Sequence, residues 1–155
     1  MSIRIAINSD VRIHNCWEWE HMPIWWSWKV KNLRINDCTC YYTPWVRSFD
    51  LSRYKNLKTL DVGEWCFRYV KRVKISGLNQ LESVSISYSS LMNPSSIRFE
   101  NLPKLKSIKL GYYALCGSYG TNDNSLRMKN LPSLSYLYGS DHNFSNMHNV
   151  ILESI

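Results

Sequence analysis

Residues 49–67 read FDLSRYKNLKTLDVGEWCF. Beneath them, without a gap, align VKISGLNQLESVSISYSSL (73–91), IRFENLPKLKSIKLGYYAL (97–115) and LRMKNLPSLSYLYGSDHNF (126–144). The columns are chemically uniform: Phe49, Val73, Ile97, Leu126, then Leu51, Ile75, Phe99, Met128, then Tyr54, Leu78, Leu102, Leu131. Further along come Leu57, Leu81, Leu105, Leu134, then Leu60, Val84, Ile108, Leu137, and last Phe67, Leu91, Leu115, Phe144. The steps between units are 24, 24 and 29 residues. Each unit opens and closes with a period of two, the mark of a short strand with one buried face. The middle L-x-x-L-x-x-L has a period of three, which suits a tight 3₁₀-like corner. No unit can bury its own face, so neighbours must stack.

The pattern weakens upstream. VRIHNC (11–16) and LRINDC (33–38) match each other and LDVGEW (60–65), and Met22 and Ile24 then fall in the Phe49 and Leu51 columns. Downstream, NVILESI (149–155) reads as the start of another unit. The expected architecture is a mainly-β repeat solenoid over 1–155, with parallel coils of about 22–29 residues and two short strands per coil. Residues 1–48 form irregular, Trp-rich first coils, 49–144 the regular repeats, and 145–155 an incomplete last one. Handedness is taken as right from the crossover rule. Gly63 and Gly111 follow the second strand, where a turn can use φ > 0, yet Ser87 and Ser140 share the column, so the bend does not require it.

The stretches LKTLDVGEWCF and LKSIKLGYYAL resemble the leucine-rich repeat superfamily, closest to its irregular, bacterial-surface-antigen-like class. NLPKLKSIKLG and GLNQLESVSI are similar to divergent repeats of long protist proteins. The resemblance covers 49–144 well and 11–48 poorly; the Pro after the first strand and the Asn ladder of the standard repeat are missing. It implies a curved solenoid used for protein recognition, and no catalytic residues.

Composition narrows the function. The chain has 155 residues, a net charge of +7, 7 Trp and 10 Tyr. Its N-terminus, MSIRIAINSDVRIH, alternates apolar and polar residues and has no continuous apolar run, so neither a secretory signal nor a membrane span is expected, and the expected compartment is intracellular. Five Cys, at 16, 38, 40, 66 and 116, are expected to be reduced and buried. His14, Cys16, Cys38 and Cys40 are the one candidate set for a tetrahedral zinc, but Cys40 falls in the core column of Phe67 and Leu91, which favours a small buried hydrophobe. No phosphate loop, HExxH or GxSxG is present, the four His are spread along the chain, and neither a cofactor nor an enzymatic activity is expected.

Three features point to binding. Stacking the units places Asp50, Lys74, Arg98 and Arg127 in one outward row, with Arg72 and Lys129 beside it: a face for an acidic protein or a phosphate backbone, or simply a solvated face. A second group is Lys55, Lys58, Lys104, Lys106 and Lys109. Six Trp lie within 17–45. Strand periodicity pairs Trp17 with Trp19 and sets Trp25 opposite Trp26 and Trp28, so these rings either cap the solenoid or form a partner patch that includes Trp25 and Trp26. The insertion CGSYGTNDNS (116–125) reads as a protruding loop with Tyr119 at its centre. The leading expectation is a non-enzymatic protein-interaction or scaffolding module; the alternative is nucleic-acid or polyanion binding, marked by steep loss of affinity between roughly 50 and 200 mM salt. The open C-terminal coil is expected to promote self-association.

Overall fold

Alternating apolar residues give each unit two short strands, and each strand pairs with its equivalent one coil on. The computed structural model describes residues 9–155, so the first eight residues of the alternating N-terminal stretch lie outside it. The elements run β1 (Asp10–Ile13), α1 (Cys16–Glu20), a 3₁₀ helix (Ile24–Lys29), β2 (Asn32–Ile35), β3 (Ser48–Asp50), β4 (Thr59–Val62) and β5 (Arg72–Ser76). They continue β6 (Ser83–Ile86), β7 (Ser96–Glu100), β8 (Ser107–Leu110), β9 (Ser125–Lys129), β10 (Tyr136–Tyr138) and β11 (Asn149–Glu153). A six-stranded sheet runs β1-β2-β4-β6-β8-β10 and a five-stranded sheet β11-β9-β7-β5-β3. Every pairing is parallel, so the molecule is a parallel β-solenoid of about six coils.

The registers reproduce the sequence columns. Val11, Leu33, Leu60, Val84, Ile108 and Leu137 form one ladder. Phe49, Val73, Ile97, Leu126 and Val150 form another on the second sheet. Between the sheets, the N–H groups of Leu57, Leu81, Leu105 and Leu134 bond to the carbonyls three residues earlier, the 3₁₀ geometry the period of three called for. The core is continuous from Val11 to Leu131.

Glycine acts otherwise than a left-handed turn would need. Gly63 and Gly111 are absent from the positive-φ positions, but a Cβ at Gly111 would lie 2.7 Å from the Tyr88 nitrogen, and one at Gly63 2.8 Å from the Ile35 carbonyl. Close approach of successive coils selects glycine there. Positive φ falls mainly on three columns, two at the corner after the first sheet (Cys38, Trp65, Ser89, Tyr113 and His142; Cys40, Phe67, Leu91, Leu115 and Phe144) and one directly after the second-sheet strands (Gly77, Asn101, Asn130 and Ser154).

The first coil departs from strand periodicity. Asn15 caps α1 by accepting the Glu18 N–H at 3.0 Å, and Glu18 accepts the His14 N–H at 2.7 Å, a reciprocal pair that nucleates a helix where alternation suggested a strand. Pro23, with its fixed φ, starts the 3₁₀ helix. Trp19 is therefore buried while Trp17 is exposed, and Ile24, aligned with a ladder column, is 75% exposed. Trp19 closes the core by stacking on Phe49 at 5.2 Å and meeting Phe67 edge-on at 5.0 Å. At the other end the ladders run out: Leu137, Val150 and Leu152 are each at least half exposed.

This gradient is measurable within one column. Ile108→Ala should destabilise by about 3 kcal/mol in urea unfolding, and Leu137→Ala by less than about 1 kcal/mol. Equal losses would mean that Leu137 is covered in solution.

Candidate functional site

The outward row of the second sheet is in register: Asp50 pairs with Lys74, Lys74 with Arg98, and Arg98 with Arg127. Arg72 opens β5 opposite Ser48 and Ser96, and Lys129 sits between Glu100 and Glu153. The row's charge is largely cancelled by its neighbours. Lys74 reaches Asp50 at 3.7 Å, Arg127 reaches Glu100 at 3.6 Å and Lys129 reaches Glu153 at 3.1 Å. Burial pushes the Asp50 carboxyl up, but the Ser52 N–H and hydroxyl with Lys74 hold it below its ordinary value. Among the described residues only Arg72 and Arg98 of this set have no carboxylate within ion-pair reach.

The second lysine group is interrupted. Backbone bonds place Glu82 between Lys58 and Lys106, and Lys106 approaches Glu82 at 3.5 Å. Lys104 donates to Gln80, and Lys109 lies over the Tyr136 ring.

The aromatic residues expected at the first coils and in the insertion lie apart. Trp25 is exposed on the 3₁₀ helix, while Trp26 packs partly against the core. Tyr119, 91% exposed, is at the tip of the insertion after β8, several rungs of ~4.8 Å along the axis from the first coil. The base of that loop is built in: Asn124 donates to the Ser118 carbonyl at 2.6 Å, and Lys71 reaches the Ser118 hydroxyl at 2.8 Å.

The cysteine expectation needs correction. Cys16 and Cys40 form a disulfide, and Cys38 is exposed; only Cys66 and Cys116 are buried thiols. Aligned by sequence, Cys16 belongs opposite Cys38, but it opens α1, and the helix carries it to Cys40 instead. The zinc candidate loses two of its three sulfurs to that bond, and the His14 ring is taken by Glu18 at 3.1 Å. Among the described residues no group of three or more His, Cys, Asp or Glu is placed to hold a metal.

A surface that columns of apolar residues did not reveal is the corner after the first sheet. The carbonyls of Glu64, Tyr88, Tyr112 and Asp141 accept the N–H groups of Cys38, Trp65, Ser89 and Tyr113, which knits coils two to six into one edge. Along it the rings touch in sequence: Tyr42 to Tyr41 at 4.7 Å, Tyr41 to Trp65 at 5.8 Å, Trp65 to Tyr88 at 5.0 Å and Tyr88 to Tyr112 at 5.9 Å. Tyr112 meets Tyr113 at 4.4 Å, and Tyr113 stacks on His142 at 4.4 Å. Tyr42, Tyr88 and His142 are exposed; Tyr41, Trp65, Tyr112 and Tyr113 are half-buried. Asp37, Glu64 and Asp141 occupy the same edge, all exposed. The signal was present in the sequence, in the two positions that follow the Gly/Ser column: Glu-Trp, Tyr-Ser, Tyr-Tyr and Asp-His. Only the left-handed backbone at Trp65, Ser89, Tyr113 and His142 shows that this edge turns outward as a ridge.

Among known proteins, no family model, no curated protein and no solved structure matches the chain at a significant level. Among the described residues no helix is long and apolar enough to cross a membrane.

The thiols offer a direct check of this arrangement. Burial pushes the Cys66 thiol up to about 12, and its Sγ donates to the Asn36 carbonyl at 3.1 Å. At neutral pH a thiol reagent should therefore label Cys38 alone in the folded protein, with Cys66 and Cys116 reacting only on unfolding. Five reactive thiols in unfolded protein without reductant would disprove the disulfide.

Proposed function

We propose that the chain is a non-enzymatic protein-interaction or scaffolding module of leucine-rich-repeat-like design. The observation that carries this reading is the aromatic ridge from Tyr41 and Tyr42 to His142, partly exposed across successive coils. Tyr and Trp dominate binding hot spots because a rigid ring offers large contact area at little conformational cost. A packed solenoid edge adds pre-organisation, so little ordering entropy is lost on binding.

Nucleic-acid binding is the weaker reading. Single strands are held by successive free ring faces beside unpaired cations. Here Tyr88 faces Tyr112 and Tyr113 faces His142, and the cations of the second sheet are mostly paired with carboxylates. Arg72 and Arg98 are what remains in its favour.

The two readings separate by mutation. In capture experiments with the intact protein, Tyr88→Ala/Tyr112→Ala should weaken retention of a protein partner by more than about tenfold. Arg72→Glu/Arg98→Glu should change it little, and retention should fall only gently between roughly 50 and 200 mM salt. The reverse pattern, with co-purifying nucleic acid, would overturn the proposal.

The exposed end adds self-association to the reading. All of β10 and β11 is exposed, with one unpaired edge on each sheet and apolar Leu137, Val150 and Leu152 between them. Light scattering after size exclusion should show mass rising with concentration, and Leu137→Lys/Leu152→Lys should abolish the rise. A constant monomer mass for the unmodified chain would refute this.

A further inference from the structure

We infer that the aromatic ridge takes a cationic, arginine-bearing peptide segment of a protein partner. The inference rests on the interaction reading above and narrows it to one chemistry. The chain carries +7 overall, yet the ridge edge is locally acidic. Asp37, Glu64, Tyr88, Tyr112 and Asp141 follow one another along successive coils, because the Asp37 carboxylate accepts the Glu64 N–H at 2.8 Å and the backbone bonds above join the rest. Among the described residues none of these three carboxylates has an ion-pair partner, in contrast to Asp50, Glu82, Glu100 and Glu153. The neighbouring Tyr113 hydroxyl foremost, then desolvation and, to a smaller extent, the charge of Asp141, push the Tyr112 hydroxyl up.

The ridge already holds one guanidinium. The Arg68 Cζ lies 5.2 Å from the Tyr41 ring centre, and its Nη1 donates to the Tyr41 hydroxyl at 2.9 Å. That pairing shows what the remaining rings and carboxylates offer at their own coils: a ring face or hydroxyl with an acid one rung away. Arginine fits better than lysine, since its planar, weakly hydrated guanidinium stacks on a ring and still donates in its plane. The ridge alternates edge-on contacts, at Trp65 with Tyr41 and Tyr88, with the stacked pairs Tyr88–Tyr112 and Tyr113–His142, so it offers hydroxyls and separate ring pairs rather than a continuous run of free faces, which suits separate cations. An extended peptide advances ~6.8 Å per two residues and a coil ~4.8 Å, so alternate side chains of a segment laid along the edge run ahead of successive coils by ~2 Å per step, which long arginine side chains take up over two or three coils. The basic remainder of the surface repels such a segment and thereby directs it to this edge.

The test uses fluorescein-labelled peptides of alternating arginine and serine, with lysine–serine and glutamate–serine controls, followed by fluorescence anisotropy on the intact protein. The arginine peptide should bind more tightly than the lysine peptide, and the glutamate peptide should not bind at the ridge. Glu64→Gln/Asp141→Asn should weaken arginine-peptide binding by about tenfold, and Tyr88→Ala/Tyr112→Ala by at least as much, while Arg72→Glu/Arg98→Glu leaves it in place. Chemical-shift mapping on the unmodified protein, with the Trp65 indole N–H as reporter, locates the peptide without any substitution. Absence of arginine-peptide binding, binding undiminished in the ridge variants, or shifts confined to the second sheet would overturn the inference. Should the peptide fail while Tyr88→Ala/Tyr112→Ala still abolishes partner capture, the charge assignment falls and the interaction reading stands. Should both fail, the ridge itself is not the binding surface.

Discussion

Parallel, in-register hydrogen bonding between successive coils is the constraint on which everything else in this protein depends. Each strand borrows its partner from the next unit, so a residue type chosen at one position is stacked on its equivalents at ~4.8 Å intervals. Apolar columns become core ladders, as Leu60, Val84 and Ile108 do, and polar columns become surface rows. The same bonds hold the corners. Thirteen non-glycine residues among those described have positive φ, a conformation that costs about 1 kcal/mol or more apiece. They are tolerated because each bend is locked between neighbours: Phe67, Leu91 and Leu115 donate their N–H groups to Thr39, Cys66 and Ser90 of the preceding coil.

That logic explains what the sequence discloses and what it withholds. Where a unit has neighbours on both sides, period alone sets strand, corner and register, and even the outward row Lys74–Arg98–Arg127 is legible. Pairing within that row is only partly so: Asp50 and Glu153 stand directly opposite Lys74 and Lys129 one coil away, whereas Glu100 reaches Arg127 diagonally. Among the described residues the first coil adds no strand to the second sheet, and there local rules prevail over the repeat. Asn15 and Glu18 start a helix, Pro23 a 3₁₀ turn, and the tryptophans take a helical rather than an alternating distribution. The same helix start redirects Cys16 from the Cys38 column to Cys40.

The disulfide and Trp19 meet the same need at that end. Among the described residues no second-sheet strand lies beyond β3, and Phe49 needs another cover there. Trp19 covers it, and the Cys16–Cys40 bond ties α1 to the coil beneath. Closing a loop of 24 residues contributes about 3 kcal/mol in the chain-entropy account, available only where the thiols are oxidised. A reducing compartment would leave Trp19 packing alone to hold the cap, which makes the stability of the first coil a function of redox environment while the central coils remain indifferent to it.

Strain and surface coincide at the aromatic corner. Trp65, Tyr113 and His142 belong to the left-handed column themselves, and Tyr88 and Tyr112 immediately precede it. A left-handed residue between two bonded coils has few alternative backbone states, so its side chain is fixed in direction before any partner arrives. Rings on such positions lose little freedom on binding, whereas a ring as exposed as Tyr119 would have to be ordered first. Unpaired carboxylates at both ends of this rigid edge then discriminate by charge among partners that the rings alone would accept. In the proposed site, affinity from the rings and selectivity from the acids are separable quantities, because they belong to different side chains of one rigid edge.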